Sequence, residues 1–90
     1  MKYEWDENKR QSNLEKHGLD FVIAYQIFES LEKLTMPSNY THEERWIDIA
    51  PVGEELLILT LVYTHRNENI RVISLRKTSK KERRLYYENR

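Results

Sequence analysis

The chain has 90 residues, with fifteen Lys/Arg, fifteen Asp/Glu, three histidines and no cysteine. That length allows one domain, residues 1–90, with a marginal core, and the lack of cysteine excludes a disulfide framework or a thiolate metal site. The N-terminus has no apolar signal segment and the longest apolar run, Leu56 to Tyr63, falls far short of a bilayer span, so the expected setting is the cytoplasm, away from membranes.

The zero charge balance hides a division. Residues 1–55 hold six basic and twelve acidic side chains, and residues 56–90 hold nine and three. Either a basic face attracts a polyanion, or acidic and basic segments neutralise one another inside the fold; composition leaves both readings open.

In chain order, a short strand is expected near Lys2 to Trp5. Asp6 then reads as the N-cap of a helix that runs to Lys16 and His17 and stops at Gly18. Asp20 caps a second helix whose apolar face is Phe21, Ala24, Tyr25, Phe28 and Leu31. The stretch from Ser30 to Glu43 reads as loop with a short strand around Leu34, and Pro37 argues against regular structure there. A strand from Arg45 to Ala50 and a turn at "APVGEE" lead into "LLILTLVYT", which is apolar on both parities and so predicts a central strand covered on both faces. "HRNEN" makes a hairpin connection and Ile70 to Lys77 returns antiparallel. Ser79 and Glu82 form a capping box that opens a last helix, Lys80 to about Asn89. The fold class is α+β: a short N-terminal strand and two helices packed on an antiparallel β-meander, with a C-terminal helix. The doubly apolar strand needs cover on its second face, from the last helix, from loops or from another molecule, and the last of these predicts a chain most stable as a complex.

No phosphate-binding glycine loop, nucleophile motif or metal-ligand spacing is present, so neither cofactor nor metal is expected. Histidine is the natural acid–base candidate. His17 has a structural alternative as a cation at a helix C-terminus, and His42 and His65 have one as solvated surface. Arginines gather on the hairpin: Arg66 at its turn, Arg71 just after it, Arg76 and Lys77 at the far end. Planar guanidinium groups suit phosphate oxygens, and RNA carries its own nucleophile in the 2′-hydroxyl, which needs only alignment, a proton acceptor and charge stabilisation. Strict alternation puts Arg71 with Ile73, Leu75 and Lys77, and Arg76 with Val72 and Ser74, so these cations should not all share one face. Lys80, Lys81, Arg83 and Arg84 open the last helix on solvent-facing positions. Tyr86 and Tyr87 are suited to stacking on a base or to packing on the sheet.

"EWDENK" (residues 4–9), "NLEKHG" (13–18), "DFVIA" (20–24), "EER" (43–45), "VYTHR" (62–66) and "RVISLRK" followed by "ERRLYY" (71–87) resemble, in order and spacing, the BrnT-type toxins of bacterial type II toxin–antitoxin systems. The resemblance implies a RelE-like fold. It also implies a ribonuclease that inhibits translation and growth until neutralised by a BrnA-like antitoxin in a 2:2 heterotetramer, with operator DNA met only through the antitoxin. The family usually has T-E-R where this chain has Thr64, His65 and Arg66, so His65 stands as a proton acceptor in place of a glutamate. Gly-Arg before the central strand is here Gly53 with Glu54 and Glu55, and a frequent His-Ser is here Tyr40 and Thr41. The expected catalytic set is His17, His65, Arg66, Arg71 and Arg76, with Lys16, Lys77, Lys80, Lys81 and Arg84 holding RNA. The alternative is a non-catalytic nucleic-acid- or protein-binding module that acts only as partner of an antitoxin.

Overall fold

A computed structural model describes residues 2–54 and 57–89. Asp6 accepts from the amides of Asn8 and Lys9 and opens α1 (Glu7–His17), which ends where Gly18 takes the left-handed conformation, φ 70°. A side chain at Gly18 would strain that φ, so the stop signal and the cap are one feature. Before α1 lies β1 (Tyr3–Glu4).

The second helix departs from expectation. Asp20 caps a 3₁₀ turn, Phe21–Ile23, that runs into a short α2 (Ala24–Phe28). Three residues per turn bring Phe21, Ala24 and Ile27 to the buried side, while Tyr25 stays exposed. Ser30 accepts the amide of Glu32 in a local turn, so the chain leaves the helix before Leu31, which is fully exposed.

Residues Leu34–Pro37 form β2, followed by β3 (Trp46–Val52), β4 (Leu57–Arg66) and β5 (Asn69–Lys77), with the sheet order β1-β5-β4-β3-β2. Pro37 is thus inside a strand, contrary to the sequence reading, because β2 is an edge, where a missing N–H is tolerated. Pro51 and Val52 also extend β3 past the expected turn; β2 pairs only as far as Ile49, so Pro51 lies beyond it. Glu55 and Leu56, part of the expected turn and central strand, lie outside the described residues. The meander β2 to β5 is antiparallel, but β1 joins β5 in parallel, so the sheet is mixed.

The hairpin turns on Asn67, whose φ of 58° suits asparagine. One irregularity changes the geometry of the site: Val62 pairs with Ser74 and Tyr63 with Val72, so Ile73 is an extra residue bulged out of β5. Alternation therefore switches at Ile73. Ile70, Val72 and Leu75 all face the α2 side, and Arg71, Ser74 and Arg76 share the other, correcting the separation of Arg71 from Arg76 that strict alternation predicts.

The α2 face holds the main core: Phe21, Ala24 and Ile27 against Ala50, Leu59, Leu61, Tyr63, Val72 and Leu75. The opposite face of β4 is covered by α3 (Lys80–Glu88), whose Tyr86 packs on Ile49 and Ile58 with Leu34, Met36 and Ile47 beside it. The Tyr86 hydroxyl donates to the Glu32 carbonyl at 2.8 Å, so that tyrosine is a packing residue, whereas Tyr87 is exposed. The second face of the central strand is thus met by the last helix, and the case for a partner no longer rests on that strand. Among the described residues no helix is long and apolar enough to cross a membrane.

Candidate functional site

Helix α1 carries Lys9, Ser12, Asn13 and Lys16 at i, i+3, i+4 and i+7, one stripe of the helix. Asn13 fixes that stripe against the sheet edge. Its amide donates to the Leu75 carbonyl at 2.7 Å and the Leu19 carbonyl at 3.0 Å, and its oxygen accepts the Leu75 N–H at 3.2 Å. A side-chain amide here does what a neighbouring strand would do, satisfying β5 where β1 no longer runs beside it. Between the two elements lies a cleft of about 200 Å³ lined by Lys9, Ser12, Asn13, Lys16, His17, Ile73 and Ser74. The Ile73 bulge helps to shape this cleft by displacing β5 backbone next to Ser74. No carboxylate is among the lining residues. Lys9, Lys16 and His17 have no ion-pair partner among the described residues.

The hairpin arginines are held differently. Arg71 pairs with Glu4 at 3.0 Å, and Asn69 donates to the same carboxylate at 3.1 Å. The hydrogen bonds from Asn69 and Arg71 hold the Glu4 carboxyl below its usual range, with the charge of Arg66 adding to them. Arg76 makes two 2.7 Å hydrogen bonds to Glu82, which also accepts from the Ser79 amide and from Thr60 in the capping box of α3. That bidentate contact from Arg76, foremost, brings the Glu82 carboxyl down to about 2. Arg66 is exposed and has no ion-pair partner among the described residues.

The segment between β2 and β3 is laid over the same face as Arg71. Thr64 donates to the Glu44 carbonyl at 2.6 Å, Arg45 pairs with Glu43 at 2.7 Å, and the Arg45 guanidinium stacks 3.7 Å above the Tyr40 ring. The Arg45 hydrogen bond holds the Glu43 carboxyl below its usual range, and Arg66 and Lys9 contribute through their charge. Thr64 thus fastens this loop at the hairpin end of the sheet, and the charge of the cleft-lining Lys9 reaches Glu43.

The structure brings Lys16 and His17 together and adds Lys9, Ser12 and Ser74, which the sequence reading did not single out. It sets Arg66 and Arg71 at the hairpin end. Arg76 lies five residues further along β5, roughly 16 Å at ~3.3 Å per residue, locked to α3. His65 contacts the rings of Phe28 and Tyr63 edge-on, at centroid distances of 6.5 and 5.7 Å, and so points to the α2 side, away from Arg66. Lys77 alternates with Arg76 and is exposed, as are Lys80, Lys81 and Arg84 on α3. Ser12 and Asn13 carried a signal in the sequence: two poor helix formers in a helix interior, at a spacing that joins Lys9 to Lys16.

A family model for the ribonuclease toxin BrnT of type II toxin–antitoxin systems matches residues 5–82. The chain thus falls in the class of type II toxin–antitoxin toxins, a class that implies an antitoxin partner. Within that class it belongs to the BrnT family, whose described activity is that of a ribonuclease. None of the curated proteins compared with the chain matches it.

Proposed function

We propose that the chain is a metal-independent endoribonuclease and that the phosphate to be cleaved sits in the cleft between α1 and β5. The observation that carries this reading is the cleft lining, which gathers Lys9, Lys16, His17 and two serine hydroxyls without a carboxylate. Such a site suits an anion and offers no acidic ligand for a hard cation. The 2′-hydroxyl attacks the adjacent phosphorus while His17 accepts its proton. The two lysines and the serine hydroxyls stabilise the charge that grows on the non-bridging oxygens, the bond from phosphorus to the 5′-oxygen breaks, and that oxygen takes a proton from water. The products carry a 2′,3′-cyclic phosphate and a 5′-hydroxyl. Arg66 extends the basic surface toward the hairpin and binds the RNA chain on one side of the reacting group. Arg71 and Arg76 hold the framework, and His65 takes no part in the proton transfer. Lys77, Lys80, Lys81 and Arg84 add a screened attraction for the RNA backbone.

Membership of a type II toxin–antitoxin ribonuclease family supports an antitoxin partner. We extend this to a RelE-like fold, arrest of translation and growth in the cytoplasm, and neutralisation by a BrnA-like antitoxin in a 2:2 assembly that meets operator DNA through the antitoxin. The test is incubation of RNA with the purified, antitoxin-free protein in EDTA, followed by analysis of the new ends. Cyclic phosphate ends without added metal are expected. Products that require Mg²⁺ or Mn²⁺, or that carry a 3′-hydroxyl, contradict the mechanism, and intact RNA favours the non-catalytic module.

A further inference from the structure

We infer that the loop between β2 and β3 carries a nucleobase-stacking subsite, built on Tyr40 and Arg45, that holds the base beside the cleaved bond and gives the enzyme a base preference there through stacking strength. This rests on the ribonuclease reading, which supplies the substrate class. Tyr40 is a large aromatic left 42% exposed on a loop. It does not fill a core, yet its position is determined. The Arg45 guanidinium lies 3.7 Å over its ring, and His42 meets it edge-on at 5.3 Å.

The loop beneath it is fastened at several points. The Ser38 amide donates to the Arg45 carbonyl at 2.9 Å, the Tyr40 amide to the Ser38 hydroxyl at 3.3 Å, and Thr64 to the Glu44 carbonyl at 2.6 Å. Arg45 is in turn held by Glu43 at 2.7 Å. A ring held in place before a ligand arrives loses little freedom on binding, and a guanidinium centred over one face leaves a base the opposite face.

Position gives this platform its role. The loop shares the α3 face of the sheet with Arg66, Arg71 and Ser74, and Glu43 lies within electrostatic reach of both Arg66 and the cleft-lining Lys9. An RNA strand whose phosphate occupies the cleft and whose backbone continues toward Arg66 passes this loop with an adjacent base. A splayed, unstacked base is what an exposed aromatic–guanidinium pair holds best, and stacking on such pairs is a recurring mode of single-strand RNA recognition.

Mapping of all cleavage sites in a long transcript tests the inference, with wild type beside Tyr40→Phe and Tyr40→Leu. Tyr40→Leu should lose about tenfold in kcat/KM at the favoured sites and flatten the base preference at one position next to the cut; Tyr40→Phe should keep both. A Tyr40→Leu profile identical to wild type, or a uniform loss of kcat with unchanged preference, overturns the subsite. A binding arm separates this from failure of the ribonuclease reading: 2′-O-methyl oligonucleotides of single-base composition bind without being cut. If wild type cleaves nothing but binds one base composition several-fold better in a Tyr40-dependent way, the subsite stands and catalysis falls; equal binding of all compositions by wild type and Tyr40→Leu removes the subsite alone.

Discussion

Two groups of cations, one on α1 and one running from β5 into α3, differ in how they are partnered. The second is the denser along the sequence, yet its two strand arginines are tied to carboxylates: Arg71 to Glu4 and Arg76 to Glu82. The first is sparse, with Lys9, Lys16 and His17 spread over nine positions, yet it meets in one cleft with no acid in the lining. Lys77, Lys80, Lys81, Arg83 and Arg84 have no ion-pair partner among the described residues either, but they are spread over exposed surface. The charge a ligand meets is therefore set by where the fold gathers unpaired cations as well as by pairing. A paired arginine stabilises the protein, whereas an unpaired lysine in a cleft attracts an anion.

The largest effect that sharpens this contrast is expected at His17. His17→Ala should cut the rate of RNA cleavage on the order of a hundredfold or more, the usual contribution of a proton-transfer group. The same variant should unfold at the wild-type urea midpoint, because that side chain makes no core contact comparable to Asn13. Cleavage rate and urea midpoint measured on the same preparation check both halves.

Arg76→Ala should reverse the pattern. It removes two hydrogen bonds to Glu82 and leaves a largely buried carboxylate short of its partner, at a cost of roughly 2–3 kcal/mol in stability. Cleavage by the folded variant at low temperature should stay near wild type. A stable but inactive Arg76→Ala protein would move Arg76 into the reacting site and break the division between the two groups.

Acid exposes the same pair in a smaller way. The Glu82 carboxyl is lowered from 4.5 to about 2 in the folded protein, chiefly by Arg76, so folding favours its ionised form. Its stabilising contribution is complete above about pH 4.5 and is lost as the pH falls toward 2. Urea titrations at steps through that window should show wild type losing more stability than Glu82→Gln. Equal slopes would mean that the pair contributes nothing.

Much of the fold could be read in local chemistry. Asp6, Gly18 and the Ser79–Glu82 box marked helix ends because each satisfies backbone groups within a few residues, which a sequence displays directly. The second helix departs from its sequence pattern because a 3₁₀ start changes the period from 3.6 to 3, moving Ile27 in and Tyr25 out. The site was less legible because it depends on long-range facts. Nothing local announces that Ile73 bulges, and that one residue moves Arg71 onto the face of Arg76. Nor does sequence order reveal that Glu4 sits beside Arg71, 67 positions away. His17 and Lys16 are candidates on their chemistry alone, while Lys9 and Ser74 become candidates only because Asn13 fastens α1 to the edge of β5.

On the proposed mechanism, position and not number decides which cations serve the reaction. This dependence on position is tested most directly by removing the same charge from two places: Lys9→Ala with Lys16→Ala from the cleft, and Lys80→Ala with Arg84→Ala from α3. Single-turnover cleavage of one RNA should be measured in EDTA at fixed ionic strength. The cleft pair should fall on the order of a hundredfold, the scale of lost electrostatic stabilisation at a reacting phosphate, and the α3 pair by no more than about threefold, as expected of screened backbone contacts. Equal losses in the two double variants, or a larger loss from α3, would contradict the account.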